Sequence, residues 1–192
     1  DTPECVKETI VAKPTKIQCD IVEKLAERAD RIQNGAVDSS VDNMLCVTND
    51  GRKCGLDQRL INPMLPDEPG TKVNLCVENV FNIWNDTKEN RLTQLIFCDM
   101  GVPNIKADKV KADLDDAENT ADEAFEEVGK ISIYDDIREK LVEKGVPREE
   151  VAFIHEAKNE AAKAEMFAKV RNGDIRVLIG STAKMGCGTN VQ

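Results

Sequence analysis

Ile175-Arg176-Val177-Leu178-Ile179-Gly180-Ser181-Thr182-Ala183-Lys184-Met185-Gly186-Cys187-Gly188-Thr189-Asn190 is the stretch on which the fold turns. Its apolar run reads as a buried strand over Ile175 to Ile179, and it breaks at Gly180 into two hydroxyls and a glycine-rich turn. A strand that ends this way fixes the turn at its carboxyl edge. Glycines without a Cβ then let backbone amides approach an anion such as a phosphate.

Working backward, Asn159 is placed to cap a helix whose Ala164, Phe167 and Val170 share a face and whose end is Asn172-Gly173. Val151 to Ile154 is a further strand. Before it, Tyr134, Ile137 and Leu141 recur at helical spacing, and Gly145 with Pro147 stops the helix. Leu95-Ile96-Phe97 is a short buried strand ending at Asp99. Strand, helix, strand, helix, strand with short connections predicts an α/β fold with a parallel sheet and right-handed crossovers.

The first part of the chain differs. Residues 4–13 have strand-like composition and end at Pro14, and Ile21, Leu25, Ala29 and Ile32 mark a helix stopped by Asn34-Gly35. A short apolar stretch, Met44 to Val47, leads to a turn at Asn49-Asp50-Gly51. Pro63 to Gly70 reads as a linker, and Val73, Val77, Val80 and Trp84 space out another helix. Two regions are expected: a lead-in over 1–70 packing on a lobe over 71–192, the lobe interrupted by an acidic surface insertion at about 104–128.

The chain has 192 residues, 41% hydrophobic and 32% charged, with aromatics at 4%, so an aliphatic core in a soluble, cytoplasmic protein is expected. No apolar stretch approaches a membrane span, and no membrane partner is expected. Seven cysteines include no Cys-x-x-Cys pair, and only His155 could join them, so no metal site is expected and the thiols read as small buried hydrophobes. The net charge of −10 is unevenly placed: residues 107–127 hold nine acids against two lysines, which is −7 and leaves −3 for the rest. The total therefore does not exclude a nucleic-acid partner. The start and the turn so close to Gln192 point to a piece of something larger.

Several motif matches fail. Asp122-Glu123-Ala124-Phe125 looks like an acidic magnesium box but lacks the apolar strand that would hold it at a sheet edge. Gly129-Lys130 is no phosphate loop, since Ala124 and Ile131 stand where Gly and Ser or Thr are required. Gly186-Cys187-Gly188-Thr189-Asn190-Val191 lacks the third glycine of a dinucleotide fingerprint. No complete ATP site is present, and no catalytic residue is assigned.

Ser181-Thr182-Ala183-Lys184-Met185-Gly186-Cys187-Gly188-Thr189-Asn190 nonetheless resembles the fifth conserved motif of SWI/SNF-type helicase-like ATPases. Gln94-Leu95-Ile96-Phe97-Cys98-Asp99 resembles the fourth, and Phe167 with Asn172-Gly173 matches the helix leading into the fifth. Lys13 to Gln18, the helix to Arg31, and Arg52 to Pro63 resemble the lead-in. The similarity spans nearly the whole chain and is nearest to helicase–methyltransferase fusions of phages and conjugative elements.

The resemblance implies the second RecA-like lobe of a DNA helicase or translocase: a parallel sheet with helices on both faces, truncated near its C-terminal edge. It implies that Thr182, with Ser181 and Lys184, contacts a nucleic-acid backbone phosphate. Gly186, Gly188 and Asn190 would then lie near the nucleotide, and Phe97 and Asp99 at the same sheet edge. DNA and an upstream P-loop lobe of the same polypeptide are the implied partners. ATP and Mg belong to the full-length parent only, because the P-loop lobe and the arginine-bearing sixth motif are absent. Two alternatives stay open, a non-enzymatic nucleotide- or phosphate-binding α/β domain and an acidic protein-interaction module. So do plainer roles for single residues: Thr182 and Ser181 as turn caps, Asp99 as a turn former, His155 as a packed or surface histidine, Trp84 as core, and Arg52, Lys53 and Arg59 as solvated charge.

Overall fold

A computed structural model describes residues 6–103 and 131–185. The chain divides into two compact units, Asp1–Ile61 with Leu65–Cys76, and Asn62–Met64 with Val77–Gln192.

The first unit is helical over its described residues. Helix α1, Lys16–Gln33, starts at Thr15, whose hydroxyl accepts from the Gln18 amide while the Gln18 side chain accepts from the Thr15 amide. This reciprocal box satisfies two otherwise orphaned donors. Helix α2, Met44–Leu56, corrects the expected turn at Asn49-Asp50-Gly51, which lies within it. Asn43 caps α2 by accepting from the Leu45 and Cys46 amides at 3.0 and 3.1 Å. Tertiary ties then outweigh the local turn propensity: Asp50 pairs with Arg28 of α1 at 2.7 Å, Arg28 also pairs with Asp42, and Gly51 faces Leu25.

The strand expected over residues 4–13 is not found in its described part, residues 6–13, where Val6, Ile10 and Val11 stand exposed. β-forming composition needs a partner strand to act on, and this unit offers none among its described residues. Arg59 is buried rather than solvated, held by Asp57 at 2.8 Å and Asp67 at 3.4 Å.

The second unit is α/β, with a small, open parallel sheet of three strands. Helix α3, Lys72–Asp86, begins in the first unit and buries Val77, Val80 and Trp84 in the second. Strand β1, Gln94–Phe97, precedes helix α4, Ile133–Glu143; strand β2, Val151–Phe153, precedes helix α5, Glu160–Arg171; strand β3, Val177–Gly180, ends in one helical turn, α6, Thr182–Met185. The order is β1-β3-β2, with Gln94 opposite Val177 and Val151 opposite Val177 on the two sides of β3. All four residues of β3 are buried, as its apolar run predicts.

The expected helix signals hold. Asn159 caps α5 by accepting from the Ala162 amide at 2.8 Å, and Gly145 and Gly173 close the two helices at φ 103° and 76°; Ser132, not singled out in the sequence, caps α4. The helices cover opposite faces. Ala152 and Leu178 join Phe167 and Val170 of α5 in one cluster, whereas Phe153 meets the Tyr134 ring of α4 edge-on at 5.6 Å.

Strand β1 departs from expectation: Ile96 is buried, but Leu95 and Phe97 are exposed, so this is an edge strand and not a buried one. Leu95 registers with Leu178 and hence faces the α5 side, where α5 lies over the other two strands. No helix among the described residues is long and apolar enough to cross a membrane.

Candidate nucleic-acid interface

Because the strands are parallel, their carboxyl ends form one rim. There β1 delivers Cys98 and Asp99, β2 delivers His155, and β3 delivers Ser181, Thr182 and Lys184. Helix α4, the next described helix after β1, lies on one face. The chain leaving β3 turns toward the other, where Met185 buries with Phe167 and Leu178. The carboxyl ends of β1 and β3 are thus neighbours, at the end of the sheet where open α/β folds usually bind ligands.

Asp99 and Thr182 meet at this point. The Thr182 amide donates to Asp99 Oδ1 at 2.7 Å and its hydroxyl to Asp99 Oδ2 at 2.9 Å, and both residues are exposed. The Cys98 amide donates to the Gly180 carbonyl at 2.9 Å, so the ladder runs up to the rim and fixes both partners. Gly180 is required here by close approach. A Cβ would stand 2.6 Å from Ile154 Cγ2 and from the Met185 sulfur, so a side chain there would require those two side chains to shift.

Around this pair the rim is less polar. Tyr134 donates its hydroxyl to the Cys98 carbonyl at 2.5 Å, and burial raises the phenol well above its ordinary value. Burial likewise raises the Cys98 thiol. His155 lies edge-on to Tyr134 at 5.4 Å, half-buried, with a buried Nδ1 that has no hydrogen-bond partner. Burial, and then the nearby Lys184 ammonium, lower its pKa. It is a half-buried, packed histidine.

Of the residues singled out in the sequence, the structure brings Asp99, Thr182 and Ser181 to one edge, with exposed Lys184 beside His155. Phe97 ends β1 exposed at the same edge. Gly186, Gly188 and Asn190 lie outside the described residues, as do Asp122 to Phe125 and Gly129-Lys130. Trp84 is core: its indole donates to Glu150 at 2.7 Å and its ring stacks on Phe81. Among the described residues no group of three His, Cys, Asp or Glu side chains could hold a metal ion.

Sequence reasoning missed the buried network below the sheet. The Arg176 side chain is 1% exposed and donates to the Trp84 carbonyl at 2.7 Å, the Thr87 hydroxyl at 2.9 Å and the Leu92 carbonyl at 3.2 Å. Glu150 completes it, accepting from Trp84 and from Arg91 at 3.0 Å. The available signal was a lone cation inside the apolar run Ile175 to Ile179. A groove of about 970 Å³ lies along β2, away from the Asp99–Thr182 pair. Several of its charges pair with one another, as in Arg138–Glu156 and Lys169–Glu165, both at 2.8 Å.

Comparison of the chain with protein-family models, curated proteins and solved structures gives no match.

Proposed function

We propose that this chain is the second RecA-like lobe of a SWI/SNF-type, DNA-translocating ATPase, and that its rim grips the nucleic-acid backbone. One observation carries the reading. The two stretches that resemble the fourth and fifth motifs end side by side at the carboxyl edge of a parallel sheet, with Asp99 bonded to an exposed Thr182. In the parent, ATP and Mg would be held between this lobe and a P-loop lobe of the same polypeptide. Gly186, Gly188 and Asn190 would lie on the nucleotide side, and Ser181, Thr182 and Lys184 on the DNA side. Closure and opening of the two lobes with each hydrolysis would move DNA stepwise. A cytoplasmic setting and a methyltransferase domain in the parent belong to the same proposal and rest on the resemblance.

The test joins the chain to a P-loop lobe. DNA-stimulated ATP hydrolysis by the joined protein, and none by the chain alone, is the expected result. Thermal stabilisation of the isolated chain by nucleotide, with no stimulation by DNA in the joined protein, would replace this reading with that of a small-ligand α/β domain.

A further inference from the structure

The donors that the proposed grip assigns to a phosphate are already occupied. Thr182 offers a backbone amide and a hydroxyl, and both are taken by the two oxygens of one carboxylate, Asp99, at 2.7 and 2.9 Å. A carboxylate with two oxygens, each accepting one donor, presents the same acceptor pair that two phosphate oxygens would present. The pair joins residues 83 positions apart, so chain proximity does not force it. The ends of β1 and β3 bring it together, through the register Phe97 to Gly180.

Three features make this occupant exchangeable. Asp99 and Thr182 are both exposed, so water can satisfy either group once they part, and the net worth of each bond is small. Asp99 has no cation bonded to it among the described residues, unlike the acids of the groove along β2. Its charge has the same sign as the ligand proposed for the site, so a phosphodiester cannot approach Thr182 without repulsion unless the carboxylate swings away.

We propose, resting on the function above, that Asp99 is an internal competitor of the nucleic-acid phosphate at Thr182. In the DNA-free chain it keeps the two donors oriented and satisfied; a backbone phosphate takes its place on binding. The device sets a threshold. An isolated anion gains too little to displace a tethered carboxylate, whereas a polyanion that engages several contacts at once can do so. It also means that Asp99 weakens binding, which is the reverse of what a residue that positions Thr182 for its ligand would do.

The experiment uses the whole 192-residue chain. Fluorescence anisotropy with a labelled oligonucleotide at fixed low salt compares the unaltered chain with Asp99→Ala, Asp99→Asn and Thr182→Val, each checked for an unchanged unfolding midpoint. Asp99→Ala is expected to tighten binding by about three- to tenfold, the worth of one typical hydrogen bond. Asp99→Asn, which keeps the acceptor and loses the charge, should fall between, and Thr182→Val should weaken binding. Inorganic phosphate should compete measurably only in Asp99→Ala, which separates a free anion from a polymer backbone as the occupant. Weaker or unchanged binding in Asp99→Ala, with Thr182→Val still harmful, overturns the competitor and leaves the grip standing. Binding that is indifferent to Thr182→Val, or absent from the unaltered chain and Asp99→Ala alike, overturns the grip and the competitor together.

Discussion

His155 is the residue whose surroundings give the plainest solution signature. Burial and then the Lys184 charge depress its pKa in the folded chain, while the unfolded chain titrates near the ordinary value of about 6.5. Between these two values the unfolded state binds more protons than the folded one, so stability rises with pH across that window and levels off above it. Urea titrations from pH 7.5 downward should therefore show falling stability once pH drops through about 6.5. His155→Gln should remove most of that slope, and an unchanged slope in that variant would assign it to other groups. The sequence allowed either a packed or a surface histidine. Its half-burial against Tyr134 comes from the short turn after β2, which local patterning does not reveal.

Helices α4 and α5 were legible because their signals are local. Tyr134, Ile137 and Leu141 share a face of α4, Asn159 caps α5, and Gly145 and Gly173 end the two helices at positive φ. Helix α2 was not, because Asn49-Asp50-Gly51 carries turn chemistry that its contacts with α1 override. Its start still rests on a local device, so Asn43→Ala should lower stability by about 1 kcal/mol, read as a shifted urea midpoint with unchanged slope. Strand β1 was legible as a strand but not as an edge, since Leu95-Ile96-Phe97 is apolar throughout and only the sheet order tells which face stays uncovered. Within the candidate site, the rim positions of Thr182 and Asp99 followed from strand ends in the sequence. Their mutual bond did not, because nothing in either stretch encodes the register that joins them. The Arg176 network escaped for a similar reason: a charge in an apolar run is recognised as structural only when its carbonyl acceptors, at Trp84 and Leu92, are brought around it by other elements.

At the scale of the molecule, charge opposes the proposed partner. Residues 107–127 carry −7 of the net −10, so their removal leaves −3. Association of a polyanion should then be faster at low salt, and the gain should fade as ionic strength rises and the Debye length shrinks. Stopped-flow mixing of an oligonucleotide with the unaltered and shortened chains measures this directly. Equal association rates at low salt would show that the acidic stretch exerts no field at the rim.

The order of strands has a consequence for how the chain is made. Strand β1 hydrogen-bonds to β3 and to no other described strand, yet more than eighty residues separate Asp99 from Thr182. During synthesis from the amino end, β1 emerges early and must wait, its backbone edge unpaired, until β3 arrives to claim it. The rim comes into being only at that moment, so a chain that has not yet made β3 lacks the Asp99–Thr182 pair on which the proposed grip rests.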